Sequence, residues 1–208
     1  MARKVIIELQ VLPPISTMSL LTRSDTIILE GHETYQKRSY RNRILIADAQ
    51  GKRVISIPLV KGKHEQQSIR EVKISYDTAW DTSLTKLIKA AYGSAPYFEY
   101  YYDDIVDIIQ KGHTYLWELS YDLLEYVLKC IGCGTEMIIS GQFLRDYDDD
   151  FYDARGHFLP TREVHLTPTY DQVFMERHGF IGDLSILDML MCCGPETSIR
   201  ISDLEDQF

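Results

Sequence analysis

The first apolar run, Val5-Ile6-Ile7-Glu8-Leu9, is short and β-branched, and it predicts a strand. Pro13-Pro14 interrupts the chain. Ile15, Met18 and Leu21, with Leu20, then form an apolar stripe that predicts a helix over 15–21. Asp25 precedes a second β-branched run, Thr26-Ile27-Ile28-Leu29. Strand, short helix and strand together predict a βαβ unit. Ile44-Leu45-Ile46-Ala47 and the alternating Val54-Ile55-Ser56-Ile57-Pro58-Leu59 predict two more strands. With Asp48-Ala49-Gln50-Gly51-Lys52 as the turn, they pair as a hairpin with a longer loop. Ile69, Val72 and Ile74 mark a further extended segment.

Helical spacing takes over in the middle of the chain. One stripe is Trp80, Leu84, Leu87, Ile88 and Ala91. A second is Phe98, Tyr101, Tyr102, Ile105, Val106 and Ile109. A third runs from Tyr115 through Leu119, Leu123 and Val127 to Ile131. Gly93-Ser94-Ala95-Pro96 and Gly112 separate these helices, and Gly132 and Gly134 stop the last. Met137-Ile138-Ile139 predicts one more strand, and the acidic stretch 146–156 a loop. Asp183 is the expected N-cap of a final helix from Leu184 to about Cys192, ended by Gly194-Pro195. The acidic tail from Ser202 to Phe208 is expected to fray. There is no internal repeat and no linker, so residues 1–208 read as one mixed α/β domain. It has an N-terminal βαβ-type unit with a small sheet, followed by a mainly helical half.

Charge sharpens this picture. The chain of 208 residues carries a formal net charge of -9, which argues against general nucleic-acid binding. Against that background, Lys37, Arg38, Arg41 and Arg43 form a basic cluster with no acid among them. Read as a strand, the segment places Lys37, Ser39, Arg41 and Arg43 on one face and Arg38, Tyr40 and Asn42 on the other. Arg41 and Arg43 together suit a phosphate or carboxylate; the bland alternative is a charged edge strand.

Other residue types exclude more than they assign. The start has too short an apolar run for a leader, and no window reaches a membrane span. With four cysteines expected as free thiols, this predicts a cytoplasmic protein. Cys130-x-x-Cys133 has zinc-like spacing, but adjacent Cys192-Cys193 does not complete a site, so no metal is expected. Asp146, Asp148 and Asp150 imitate a calcium loop, yet Phe151 stands where its glycine belongs. No P-loop, G-x-G-x-x-G or G-x-S-x-G is present, and no cofactor is expected.

Two further segments offer chemistry. In Tyr92-Gly93-Ser94-Ala95-Pro96-Tyr97-Phe98, small residues between tyrosines either place Tyr92 and Tyr97 at a pocket rim or pack a helix junction. Near the end, Tyr170, Gln172, Ser185 and Asp188 are polar residues set among apolar ones. They suit ligand contact or acid–base work; Asp188 suits equally well the satisfaction of a buried loop. Of the six histidines, His165 is the candidate, being followed by Leu-Thr-Pro-Thr-Tyr at the start of this region.

The ordered set of these segments resembles the WbqC-like family. The resemblance rests on Leu12-Pro13-Pro14, Ser24-Asp25, Tyr35 through Arg43, Ile57-Pro58-Leu59, Trp80, Tyr92 through Phe98, Tyr170 through Phe174, Gly179-Phe180 and Leu184 through Asp188. The chain departs from the family after Pro13: members often carry an aromatic residue and a glycine there, and this chain has Pro14-Ile15-Ser16-Thr17. The resemblance implies a bacterial protein linked to surface-polysaccharide, O-antigen-type biosynthesis, with a transferase role. No catalytic assignment comes with it. The opening also looks faintly like that of nucleotidyltransferases, whose histidine pair is absent.

The reading that combines residues and resemblance is a transferase acting on an anionic activated sugar or acyl donor. Lys37, Arg41 and Arg43, with Asn42, hold the donor's anion. Tyr35, Tyr92, Tyr97 and Tyr170 line the pocket. Gln172 and Ser185 meet the acceptor, and Asp188 or His165 serves as base. The rival reading is a non-catalytic ligand-binding or scaffold protein in polysaccharide assembly.

Overall fold

The computed structural model describes residues 4–62, 66–148, 150–161 and 168–203. Its fold is mixed α/β, as expected, and is organised by a parallel sheet. Strand β1 (Lys4–Glu8) pairs with β2 (Thr26–Glu30) from Lys4↔Thr26 to Glu8↔Glu30. On its other side β1 takes β6 (Phe151–Asp153), and β2 takes β5 (Glu136–Ile139). All these pairings are parallel, in the order β5-β2-β1-β6. A central parallel strand is covered on both faces, which is why Val5, Ile6 and Ile7 are all buried with no alternation.

Helix α1 (Ile15–Thr22) joins β1 to β2 and is buried from Ile15 through Leu21, completing the predicted βαβ unit. Thr22 and Ser24 turn their hydroxyls back onto the carbonyls of Met18 and Leu20, which satisfies the helix end. Strands β3 (Arg43–Asp48) and β4 (Gly51–Ser56) form a separate antiparallel pair. Their turn is tighter than expected. Only Ala49 and Gln50 lie between the paired Asp48 and Gly51, and Gly51 adopts φ 105°, open to glycine because it has no Cβ. Ile69–Glu71 is a 3-10 turn rather than extended chain, and the extended course starts just after it, with Leu59 bridging Ile74.

The three predicted helices are present as α2 (Trp80–Tyr92), α3 (Phe98–Gln110) and α4 (Leu116–Cys130). Short helices α5 (Met175–His178), α6 (Ile186–Cys193) and α7 (Thr197–Ser202) follow. Helix α6 is buried along its whole length, and the backbone of Ser185 just before it donates to Leu45 of β3. Among the described residues, no helix is long and apolar enough to cross a membrane. The end of the tail, 204–208, lies outside them.

Two further expectations are corrected. The stretch 146–156 contains β6. Its short Phe-Tyr-Asp run sits among aspartates that mask a strand signal, but Ala154 and the strand before it bond and pair along β1. Asp183 does not cap the helix that follows it. Ser185 does, accepting from the amide of Leu187. Asp183, with φ 51°, instead accepts the amide of Ser16 at 2.9 Å and so serves the start of α1, 167 residues earlier in the chain. Removing this acceptor orphans a buried amide at a helix start. Asp183→Ala should therefore cost about 1–2 kcal/mol in urea denaturation, with Asp183→Asn retaining most of the stability.

Candidate functional site

Because the four strands are parallel, their carboxyl ends lie on one side of the sheet. Two buried strands end there in glutamates, Glu8 on β1 and Glu30 on β2, each at most 1% exposed. Such groups need partners. The side chain of Gln10 and the amide of Gly156 donate to the two oxygens of Glu8, at 2.9 and 2.8 Å. Glu30 accepts from Ser140, from the amide of His32 and from Arg155.

Arg41 enters this region from the loop after β2. It is 1% exposed and grips Glu33 with two parallel bonds, Nε at 2.6 Å and Nη2 at 2.5 Å, while Nη2 also lies 3.9 Å from Glu8. Burial pushes the Glu33 carboxyl up, against the lowering effect of Arg41. The third nitrogen of Arg41, Nη1, is buried without a partner. A buried guanidinium N–H left unmet is costly, and it is the kind of defect that a ligand removes.

Arg155 follows β6 and is committed elsewhere. Its Nε and Nη2 hold Asp153, Nη1 holds Glu30, and the carbonyls of Leu144 and Arg145 accept the remaining protons. Its guanidinium lies 5.1 Å from the ring centroids of both Phe143 and Tyr147. Between the two arginines is a cavity of about 320 Å³, bordered by His32, Glu33, Thr34, Gln36, Arg41, Phe143, Arg155 and Gly156. The chain places β5 beyond β2 and then returns to lay β6 on the opposite side of β1. The border residues of the cavity follow β2, β5 and β6, so it lies at the carboxyl ends of the strands, where open parallel sheets bind their ligands.

The basic segment differs from its sequence reading. Residues 37–42 form turns, not a strand, and Arg38 sits at φ 60°. The two faces inferred from alternation therefore do not exist. Arg41 goes inward, Lys37 and Arg38 are exposed, and Arg43 is half-buried at the start of β3. Tyr35, Arg41, Asn42 and Arg43 still lie together. The Tyr35 hydroxyl donates to Asn42 at 2.8 Å, and Arg41 and Arg43 both oppose the upward shift that burial gives its phenol.

Tyr92, Tyr170, Gln172, Ser185 and Asp188 gather elsewhere, around α6, and none of them borders this cavity. Asp188 is 1% exposed; it accepts the Tyr170 hydroxyl at 2.5 Å and the Gln172 side chain at 3.0 Å. Gln172 also bonds the amide and carbonyl of Ile181. Burial raises the Asp188 carboxyl, and it raises the enclosed Tyr92 phenol beside it. Ser185 donates to the carbonyl of Leu12 at 2.9 Å. Tyr97 is half-buried; its ring packs against Gly194, where an added Cβ would collide with it. This arrangement ties polar groups to the backbone of the 170–188 segment. His165 lies outside the described residues.

Sequence reasoning missed Glu8, Glu30, Glu33 and Arg155. A signal existed: a glutamate interrupts or ends each of the two most apolar strands, where solvent-facing alternation cannot explain it. Among the described residues there is no group of three or more His, Cys, Asp and Glu that would hold a metal ion. Cys130 and Cys133 are half-buried at the end of α4, and Cys133 bonds Thr135.

Residues 10–150 match the family model of the WbqC-like protein family. The match includes Glu30, Glu33 and Arg41; it does not extend to Glu8, Arg155 or the residues around Asp188. Comparison with curated proteins and with solved structures yields no match.

Arg41→Ala would strand Glu33 and Glu8 in the interior and should cost about 3–5 kcal/mol, measured by denaturant unfolding. Adding Glu33→Ala should cost less than the sum of the single changes, giving a coupling of at least ~1 kcal/mol. For Asp188 the sign follows from its raised folded-state pKa. Its contribution is fully present below the ordinary carboxyl value of 3.8 and is lost as pH rises through the raised value. The stability difference between wild type and Asp188→Asn should accordingly move in favour of the variant from pH 4 to pH 8, as followed by thermal melts.

Proposed function

Because the chain belongs to the WbqC-like protein family, we propose that it is a transferase of bacterial surface-polysaccharide assembly, acting on an anionic activated sugar or acyl donor. The observation that carries this reading is the unmet Arg41 Nη1 beside a cavity at the carboxyl ends of a parallel sheet. At about 320 Å³ the cavity is near the lower end of the ~300–1,000 Å³ common for small-molecule sites. It suits one sugar ring or a short acyl group, and not a whole nucleotide sugar. The donor's phosphate or carboxylate then falls to the basic turn outside. That turn starts at Gln36 on the cavity border and presents Lys37 and Arg38 to solvent, with Arg43 and Tyr35 nearby.

Within the cavity Glu33 is the carboxylate nearest the ligand, and its raised pKa suits proton transfer. Asp188 acts from a distance in this reading, by fixing Tyr170 and Gln172. One observation favours a second reading, a ligand-binding protein without turnover: Glu8, Glu30, Glu33 and Asp153 all accept hydrogen bonds at both oxygens, and none is free of partners.

Lys37→Ala combined with Arg38→Ala removes two exposed cations. It should weaken calorimetric binding of a nucleotide sugar roughly tenfold, with a reduced dependence on salt. Unchanged affinity would remove the proposed donor site. Binding without donor consumption, in the presence of candidate acceptors, would select the second reading.

A further inference from the structure

Sequence alone describes this region as basic, yet the folded site is acidic. Four carboxylates converge on the carboxyl ends of β1, β2 and β6 and the loop after β2: Glu8, Glu30, Asp153 and Glu33. They meet two guanidiniums, those of Arg41 and Arg155. The hydrogen-bond pattern assigns the charges. Gln10 takes the Thr17 hydroxyl proton on its own oxygen, so the group it turns to Glu8 is the N–H₂. Ser140 accepts the amide of Gly31, so its proton goes to Glu30. Glu33 and Asp153 face guanidinium N–H groups at both oxygens. Every one of these carboxylates is placed as an acceptor, so four acids face two guanidiniums beside a cavity lined by Glu33.

A site of this kind repels a simple anion and attracts a cation. A carboxylate offers about four acceptor positions, and Glu33 spends two of them on Arg41. Arg41, itself 1% exposed, still has Nη1 to donate. The border adds Phe143, a residue 53% exposed although its ring lies against Arg155. The border of the cavity thus combines the Glu33 carboxylate, the buried Arg41 with its unpartnered Nη1, and an apolar face, with Glu8 and Glu30 behind it.

We propose that this cavity binds an amino sugar in its ammonium form. The ammonium group sits on Glu33, within the field of Glu8 and Glu30. A ring or hydroxyl oxygen takes the N–H of Arg41 Nη1, and one face of the ring lies on Phe143. The inference rests on the transferase reading for the sugar, but its charge preference rests on the carboxylates alone. It also divides the labour of that reading: the cationic acceptor lies deep, on the acidic floor, and the anionic donor lies outside, on the basic turn.

The test is calorimetric titration of the intact protein at pH 7 with D-glucosamine, D-glucose, N-acetyl-D-glucosamine and D-glucuronate. Glucosamine should bind about tenfold or more tightly than each of the others. N-acetylation removes the charge and should remove the advantage. Glu33→Gln should bring glucosamine and glucose close to parity. Since that change touches a buried pair, its melting curve is to be compared with that of wild type. Phe143→Ala, at an exposed position, should weaken glucosamine and glucose alike and leave their ratio intact. Equal or tighter binding of glucose, N-acetylglucosamine or glucuronate overturns the proposal, as does the absence of glucosamine binding at millimolar concentration. If glucosamine preference holds while nucleotide-sugar binding ignores Lys37 and Arg38, the transferase reading fails and the amine site stands. The reverse pattern leaves the donor site and removes this one.

Discussion

The ion pair between Arg41 and Glu33 sets the terms for the carboxyl edge of the sheet. A guanidinium this enclosed gains little net stability from its partner, since both ions leave water to meet. What it imposes is mutual dependence, because neither charge is tolerable alone. The pair also brings in neighbours. Glu8 stands beside Arg41, Gln10 turns its amide to Glu8, and Thr17 of α1 fixes the orientation of Gln10. A hydroxyl inside the first helix is thereby coupled to the cavity border through Gln10, Glu8 and Arg41. In a low-dielectric interior such chains act as a unit more than as separate bonds.

The buried loop after β1 separates this edge from the cluster around Asp188. Val11 bonds the carbonyl of Tyr40 on one side, and Leu12 and Pro13 accept from Ser185 and Ile186 on the other. Leu12 takes φ 44°, an uncommon conformation for a branched residue, and these contacts hold it there. The Asp188 cluster then reads as the fastening of a long loop. One carboxylate collects Tyr170 and Gln172, and Gln172 brackets the backbone at Ile181. The polar residues that seemed to advertise a single pocket belong to two constructions that share a border.

Much of the fold was legible because it rests on local periodicity. The strands from Val5, Thr26 and Ile44 and the helices from Trp80, Phe98 and Leu116 all lie where the apolar spacing puts them. What periodicity cannot express is pairing across sequence distance. Strand β6 has three residues and takes its identity from β1, not from its own composition. Asp183 looked like the cap of the next helix, and only the tertiary fold assigns it to α1. The same limit governed the site. Arg41 stood out as a charge, but its inward turn depends on Glu33 and Glu8, and strand alternation failed for 37–42 because that segment turns. The carboxylates were visible as letters and silent as a cluster, since Glu8 and Glu30 come together only when β1 pairs with β2, Glu33 joins them through Arg41, and Asp153 arrives with β6.

Arg155 gives this architecture an uneven mechanical character. Strand β6 adds only three paired positions to the sheet, yet the chain from Leu144 to Gly156 is gathered around a single guanidinium that reaches two carbonyls, two acids and two rings. Attachment of that crossing is concentrated, not distributed. On the flank of the cavity, Gly156 keeps its own bond to Glu8, whereas Phe143 is joined to the site through Arg155. A loosening at Arg155 would release the Phe143 side, while the Arg41 side of the cavity, anchored through β1, β2 and α1, stayed in place.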